Sequence, residues 1–477
     1  MRFTYGYDAL LTRPNTGGTI NGRNEFVDDI NEHGVYALAE YTFSSRWKLL
    51  AAGRADDHNL LESPVFSPRA AIIFHPRKKH TLRATFNQAY GAPSTAHFFL
   101  DVLAGSFATE DANPALIPVL GSTIFDARAL GARDGFTFNY GPDGLPQMVS
   151  LYGPSIGVGN SYLPADVNSV WPALRNLAIS GDTSLAPILP ATLSAPVPGQ
   201  FMTLNTVTFG FDPFDPGALS DIKPVEQTRT QTFELGYKGV PFDRLALSVN
   251  AYYSEIKDFI GPLNVESPHV FIDSSVFVRQ LTGDIYANTG GTVDSSTAED
   301  IATGIFNDLG GLPIGLVSPT EIQNPTDVVI TFRNFGDIDL FGADIALNYH
   351  ISVNWEVGGT YSYLAKNLFH NVDGVADIPV NAPKHKFSLV ASYSNPAKGI
   401  YAKAKYRFVD QFPARTGVFS GNVSRYGLLD LNIERRKTKF GTIALTIQNA
   451  TNNKHSEFIG APELGRMTIV RISRQIF

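Results

Sequence analysis

The 477-residue sequence contains no cysteine, which excludes disulfide bonds, thiolate metal sites and cysteine nucleophiles. Charged residues are scarce, at 17%, whereas an average globular protein has about 25%. No apolar run approaches the ~18 residues of a membrane-spanning helix. No apolar leader opens the chain either, because "MRFTYGYDAL" alternates from its first residues. We therefore expect the chain to begin within a larger architecture.

The sequence is rich in aromatic residues, at 12%, and in glycine and proline, with 42 and 30 residues. This composition favours a β-rich protein with long loops. The formal net charge of −7 is mildly acidic. It argues against a nucleic-acid partner, which requires a basic face.

Alternation of apolar and polar residues recurs along most of the chain. In "GIYAKAKYRF" (399–408) the residues Ile400, Ala402 and Ala404 share one phase, and Lys403 and Lys405 share the other. This period of two indicates a strand with one apolar and one charged face. The same pattern occupies the segments 81–88, 243–253, 385–393 and 427–434.

The connections between these strands alternate in length. The short ones lie at 43–46, 75–79, 239–244, 394–399 and 437–440. The longer ones lie at 12–30, 57–65, 91–225, 260–326, 367–383, 410–424 and 451–465. Tight turns at one rim and large loops at the other are typical of outer-membrane barrels. The sequence therefore predicts an all-β fold, a transmembrane antiparallel up-and-down β-barrel with about fourteen strands of roughly ten residues.

Aromatic residues cluster near the predicted strand ends, as in the girdles of membrane barrels. These residues are Tyr41, Phe43, Phe74, Tyr237, Phe242, Tyr252, Tyr253, Tyr361 and Tyr363. A soluble sandwich or propeller is the alternative, because its sheets also alternate. The length of the strands, their charged faces and the consistent polarity of the connections favour the barrel.

Four segments resemble TonB-dependent outer-membrane receptors. The C-terminal stretch is similar to the end of those receptors. Its matching residues are Asn449, Ala450, Thr451, Asn452, Lys454, Gly460, Pro462, Gly465, Arg466 and Phe477. The hairpin at 225–260 resembles the Glu-Leu-Gly-(Tyr/Phe)-Lys hairpin, with Glu234, Leu235, Gly236, Tyr237 and Lys238. The segments 66–94 and 334–349 resemble two further strands of the family.

The resemblance implies that residues 1–477 form the barrel of such a receptor, truncated at the N-terminus. No segment matches the family's plug domain or TonB box, and the family's barrels have about 22 strands. The resemblance also implies a role for Phe477, since a terminal aromatic is an address read by the barrel-assembly machinery.

The sequence offers no catalytic set. It has no Gly-x-Ser-x-Gly elbow, no P-loop and no dinucleotide fingerprint. Its histidines are scattered, without a ligand-like pair on one strand face. Asp212 and Asp215 in "FDPFDP" offer two oxygens for Ca²⁺, but their spacing favours an ordinary turn. We expect no enzyme, no metal site and no cofactor.

The loop 91–225 is too long for a mere connector, and we expect it to be extracellular and functional. It carries four basic and eleven acidic residues. A receptor for anionic ferric siderophores favours a basic vestibule, so this loop favours neutral ligands such as sugars or peptides. Tyr140, Tyr152, Tyr162 and Trp171 are candidates for stacking on such a ligand. The alternative is that these aromatic residues fold the loop on itself.

The resemblance implies uptake of a scarce nutrient (a siderophore, cobalamin, a carbohydrate or a peptide) across the outer membrane of a Gram-negative bacterium. The implied partners are outer-membrane lipid, the barrel-assembly machinery, the small nutrient ligand and, in a plug-bearing form, the TonB complex. A passive porin or adhesion barrel is one alternative. A secreted soluble β-protein that binds polysaccharide is another.

Overall fold

The computed structural model describes residues 1–108, 123–205, 208, 210–372, 376–416, 419–438 and 440–474. Fourteen long strands form one antiparallel sheet, in which they follow their order in the chain. The strands are β1 (Arg2–Thr12), β2 (Ile30–Ser44), β3 (Trp47–His58), β4 (Val65–Arg77), β5 (His80–Gly91), β6 (Thr228–Phe242), β7 (Leu245–Lys257), β8 (Ile338–His350), β9 (Trp355–Leu364), β10 (His385–Asn395), β11 (Ile400–Val409), β12 (Tyr426–Thr438), β13 (Gly441–Gln448) and β14 (Met467–Ser473). The fourteen predicted strands and the up-and-down topology are confirmed.

The connections alternate between the two rims of this sheet as the sequence predicted. Two-residue connections join β2 to β3, β4 to β5 and β6 to β7. A further short turn at 351–354, which the sequence did not single out, joins β8 to β9. The segments 92–227 and 258–337 leave the opposite rim and are by far the longest connections.

The two faces of the sheet differ in chemistry. One face is apolar and open, with Leu235, Leu389 and Ile433 exposed to 67%, 57% and 55%. The other face is polar and cross-linked, since Thr232 hydrogen-bonds Ser254 across β6 and β7 at 2.8 Å. Period-two alternation in every strand produces this division, because successive side chains point to opposite faces.

The two longest connections fold together into one body, here called the loop domain (92–227 and 258–337). Its helices are α1 (Thr95–Phe99), α2 (Trp171–Gly181), α3 (Ser274–Asn288) and α4 (Ser295–Leu309), with 3₁₀ turns at Gly153–Ile156, Thr183–Leu185 and Pro216–Ala218. A six-stranded sheet has the order Phe211–Pro213, Gly199–Leu204, His269–Ile272, Gly315–Leu316, Gln147–Ser150 and Tyr162–Pro164. A four-stranded sheet has the order Asn264–Val265, Val328–Thr331, Thr123–Leu130 and Asp101–Ala108. Each sheet therefore contains strands from both connections.

The loop domain has its own hydrophobic core. Apart from Ile30, all the buried residues of its largest apolar cluster come from the two connections. Helix α3 buries Phe277, Leu281 and Ile285 at a spacing of four residues, which places them on one helix face. Asp273 starts this helix by accepting a hydrogen bond from the Val276 N–H at 3.0 Å. The loop 91–225 is therefore part of a folded domain.

Four smaller elements complete the described fold. Phe259–Ile260 pairs with Asn334–Phe335 within the loop domain. Two hairpins extend the loops after β9 and β11. They are Leu368–Val372 with Ala376–Pro379, and Phe412–Thr416 with Phe419–Val423. A 3₁₀ turn, Gly22–Asn24, lies between β1 and β2. Within the described residues no helix is long and apolar enough to cross a membrane.

Candidate functional site

Charged side chains on the polar face of the large sheet are paired across neighbouring strands. Lys48 Nζ lies 2.7 Å from Glu40 Oε2, between β3 and β2. Arg407 Nη2 lies 3.3 Å from Asp430 Oδ2, between β11 and β12. Such cross-strand ion pairs connect neighbouring strands on this face.

Arg54 on β3 joins three strands at the loop rim. Its guanidinium donates two hydrogen bonds to Asp8 on β1, at 2.7 and 2.8 Å, and a third to Asp56 at 2.7 Å. To reach Asp8 it crosses β2 at Gly34. A Cβ at this position would lie 2.1 Å from Arg54 Nη2. Glycine is therefore needed at this crossing, and the arginine is fully engaged by its two carboxylates.

A cavity of about 340 Å³ lies beside this triad, and we call it the mouth cavity. Its charged and histidine lining comprises Asp8, Glu32, His33, Arg54, Asp56, Asp57 and His58. Leu10, Val65 and Tyr90 contribute apolar surface. The register brings these groups together, since β2 places Glu32 opposite His58 and Gly34 opposite Asp56. The volume lies at the lower end of the range for small-molecule sites.

His58 closes the mouth cavity on the side of the loop domain. Its side chain is only 7% exposed, and its ring centroid lies 5.5 Å from that of Phe98. The Leu60 N–H donates to Nδ1 at 3.1 Å, so in the neutral ring the proton is on Nε2. Nε2 has no hydrogen-bond partner, and Glu32 Oε1 lies 3.7 Å away.

An ionic network anchors the loop domain near this cavity. The Asp101 carboxylate accepts from the Arg23 N–H at 3.1 Å and from Arg128 Nη1 at 2.9 Å. Arg128 Nε also donates to Asp327 at 3.4 Å. Burial raises the pKa of the Asp327 carboxyl, and the positive charge of Arg128 opposes this shift. Both long connections and the β1–β2 loop thus meet at one buried cluster.

The four aromatic residues predicted to contact a ligand fall into two pairs. Tyr152 and Trp171 are buried in the core of the loop domain, at 0% and 1% exposure. Burial raises the pKa of the Tyr152 hydroxyl to about 12. Tyr140 and Tyr162 are partly exposed, and their hydroxyls donate to Leu219 O at 3.2 Å and to Pro319 O at 3.1 Å. Only this second pair offers surface to a ligand.

The remaining candidate residues form no site in the structure. Asp212 accepts a hydrogen bond from Asn205 at 2.8 Å, and Asp215 accepts one from the Gly217 N–H at 2.9 Å, as expected for turns. Across the described part of the chain, no group of three or more acidic, histidine or cysteine side chains has a metal-binding arrangement. Phe477 lies outside the described residues.

Sequence reasoning missed the mouth cavity. Its signal was present as "DDH" at 56–58 and "EH" at 32–33, two charged clusters near the same rim. Alternation alone does not give the register that sets Glu32 opposite His58. The cavity therefore required the pairing of β1, β2 and β3.

Comparisons with known proteins agree on one architecture. The chain matches the family model described as TonB-dependent receptor-like β-barrel over residues 1–143 and 191–450. No curated protein matches it. Among solved structures, the siderophore receptor PirA from Acinetobacter baumannii is 10% identical, with a TM-score of 0.50 over 98% of this chain and 51% of that one.

Two other similar structures cover comparable shares. The FrpB iron transporter from Neisseria meningitidis is 9% identical, with a TM-score of 0.45 over 98% of this chain and 51% of that one. The copper transporter OprC is 11% identical, with a TM-score of 0.46 over 92% of this chain and 47% of that one. The chain thus spans about half the length of these structures.

Proposed function

Because the chain belongs to the family of TonB-dependent receptor-like β-barrels, we propose that it is an outer-membrane receptor barrel for the energy-coupled uptake of a scarce nutrient. The observation that carries this proposal is the division of the fourteen-stranded sheet into an exposed apolar face and a paired polar face. Exposed apolar surface of this extent marks contact with lipid or a partner.

The aromatic residues at the short-turn rim support contact with a membrane interface. Trp47 and Phe74 stack with ring centroids 4.3 Å apart, and Phe43 lies 6.1 Å from Trp47. Trp355 and Tyr393 form a second pair at 5.1 Å, next to the turn between β8 and β9. Amphipathic rings concentrated at strand ends are the expected girdle at the boundary between lipid and water.

The position of the loop domain supports entry of the nutrient from the long-loop rim. The domain belongs entirely to the connections at that rim and seats Phe98 against His58 of β3. We propose that this rim is extracellular and that Tyr140 and Tyr162 contribute ligand contacts there. Outer-membrane lipid, the barrel-assembly machinery and, in a plug-bearing form, a TonB complex are the partners that this function requires.

The nutrient class remains a proposal drawn from chemistry. The similar proteins are described as a siderophore receptor, an iron transporter and a copper transporter. The acidic first long connection opposes an anionic siderophore, because like charges repel the ligand. We propose receptor and transport activity, and no enzymatic one, with a cobalamin, carbohydrate or peptide nutrient as the alternatives to a siderophore.

Fractionation of a Gram-negative host that expresses the full chain tests the membrane assignment. We expect the chain in the outer-membrane fraction, extracted only by detergent and migrating anomalously before heating. A buffer-soluble monomer would contradict the proposal and favour the secreted polysaccharide-binding protein.

Uptake of radiolabelled nutrients with and without a protonophore tests the coupling. We expect uptake to stop when the proton-motive force collapses. Uptake that continues unchanged would instead identify a passive porin.

A further inference from the structure

We propose that the mouth cavity binds a small organic cation that also carries an oxygen acceptor. This inference deepens the proposed function, on which it rests, by naming the chemical class of the ligand. Four carboxylates and one guanidinium line the cavity, which gives three net negative charges with the histidines neutral. A site with this balance attracts cations and repels anions.

The single cation of the cavity is not available to an anionic ligand. Arg54 directs its guanidinium to Asp8 and Asp56, which accept hydrogen bonds from all three of its nitrogens. A bidentate pair of this kind leaves the guanidinium no free edge for a further carboxylate or phosphate. The positive charge thus acts within the protein, and the excess negative charge faces the cavity.

Two of the carboxylates lack such an arginine. The Glu32 carboxylate forms no hydrogen bond among the described residues, and its nearest recorded contact is His58 Nε2 at 3.7 Å. Asp57 is exposed at the end of β3, and its negative charge interacts with the neighbouring His58 ring. Elsewhere on the polar face, Glu40 and Asp430 each have a cation within 3.3 Å. An ammonium group would supply the donors that Glu32 and Asp57 lack.

The second requirement of the ligand comes from His58. The side chain is more than nine-tenths buried and borders the cavity, yet Nε2–H has no acceptor. A buried donor without a partner is unfavourable by about 1–3 kcal/mol, so a ligand that supplies an acceptor gains affinity. A hydroxyl or carbonyl oxygen next to the ammonium chain would meet this need.

The ligand is an organic molecule and not a bare metal ion. The described residues contain no group of three or more side chains that would hold a metal. The cavity of about 340 Å³ accommodates several non-hydrogen atoms, and Leu10 and Tyr90 offer apolar surface to a short carbon chain.

Three probes of equal length separate charge from shape. They are 5-amino-1-pentanol, 1,5-pentanediol and 5-hydroxypentanoate, which share a hydroxyl and differ at the other end. Isothermal titration calorimetry on the detergent-solubilised full chain at low ionic strength measures their affinities. We expect the amine to bind at least tenfold more tightly than the diol, and the anion to bind least. Added salt should weaken the amine selectively.

Matched variants locate the binding. The E32Q/D57N variant removes two carboxylates of the cavity, and we expect at least tenfold weaker binding of the amine. The control E356Q/E434Q removes two carboxylates near the short-turn rim and should change affinity less than twofold. His58→Phe keeps a ring against Phe98 but removes the donor, so a severalfold loss is expected.

Each outcome decides the inference. Equal binding of the amine and the diol overturns it, as does equal loss in the two double variants. If the double variants fail the heat-modifiability test of folding, the comparison of the three probes on the unmodified chain still decides. A chain that resides in the outer membrane but does not prefer the amine refutes only the ligand class. A buffer-soluble chain refutes the proposed function itself.

Discussion

The ion pair between Glu266 and Arg333 is the most buried ion pair among the described residues of the loop domain. Arg333 Nε lies 3.0 Å from Glu266 Oε1, and Nη2 lies 2.9 Å from Oε2. The side chains are 7% and 13% exposed. Arg333 also donates to Ser220 O at 3.1 Å, in the other long connection. We predict that removal of this arginine unfolds the loop domain in a pH-dependent manner.

The pH dependence follows from the pKa of Glu266. Burial raises this pKa to about 7, and Arg333 opposes the rise. In the unfolded chain a glutamate has a pKa near 4.3. Between about pH 4.5 and about pH 7 the folded domain therefore binds more protons at Glu266 than the unfolded domain does. The stability of the domain therefore falls as pH increases through this window.

Arg333→Met leaves the carboxylate buried without its cation. Breaking a buried pair in this way costs about 3–5 kcal/mol, and we expect about 3 kcal/mol at pH 8. The pKa of Glu266 rises further without the arginine, so the loss continues above pH 7 at up to about 1.4 kcal/mol per pH unit. At pH 5.5 the protonated carboxyl makes the loss smaller, by about 1–2 kcal/mol. The E266Q/R333M variant should recover most of the stability at pH 8.

Fluorescence of Trp171, which is buried in the loop-domain core, reports the unfolding. Urea titrations in detergent, with Trp47 and Trp355 replaced by Phe, isolate its signal. The control K257M removes the exposed pair between Lys257 and Asp337, 2.9 Å apart, and should cost less than about 1 kcal/mol. The reasoning is refuted if R333M is no more destabilising than K257M, or if its effect is the same at pH 5.5 and pH 8.

Three further substitutions test other parts of the fold. Gly34→Ala should displace the bridging guanidinium of Arg54, so that the gel band of the folded chain shifts to the position of the unfolded chain at a lower temperature. Gly91→Ala should leave this temperature unchanged, because the nearest atom lies 4.0 Å from its Cβ. Leu235→Arg on the apolar face should destabilise the membrane-embedded sheet by about 2–4 kcal/mol in lipid vesicles, and an effect near zero would contradict lipid contact. Tyr152→Phe removes a buried hydroxyl that has no partner, so urea titration should show unchanged or higher stability, by up to about 1 kcal/mol. A loss of stability greater than about 1 kcal/mol would instead imply that the Tyr152 hydroxyl forms a hydrogen bond in the native protein.

The large sheet was predictable because its strands obey one rule over ten or more residues. Apolar and polar side chains alternate, and the connections alternate between short and long. The segment 399–408 illustrates this, since its predicted strand is β11 almost residue for residue. Every strand of a membrane barrel has one face towards lipid and one towards the interior, so every strand carries this alternation. The alternation was therefore sufficient to count the strands.

The loop domain was not predictable by the same reasoning. Its strands have only two to eight residues, and its sheets pair segments more than a hundred residues apart, such as Gly315 with Ser150. Helices α3 and α4 follow a period of 3.6 that a search for alternation does not detect. Tyr152 and Trp171, for which the sequence left open both ligand contact and folding of the loop on itself, are among the most buried residues in the domain.

The mouth cavity was not predictable because its residues are far apart in the sequence and form no motif. Asp8, Glu32 and Asp56 come from three strands, and only their register gathers them at one rim. Several charges on the polar face have partners, because an unpaired charge near a low-dielectric wall is unfavourable. The Glu32 carboxylate lacks a hydrogen bond here, beside a histidine donor that also lacks one. The proposed ligand would complete both groups at the point where the loop domain meets the strands.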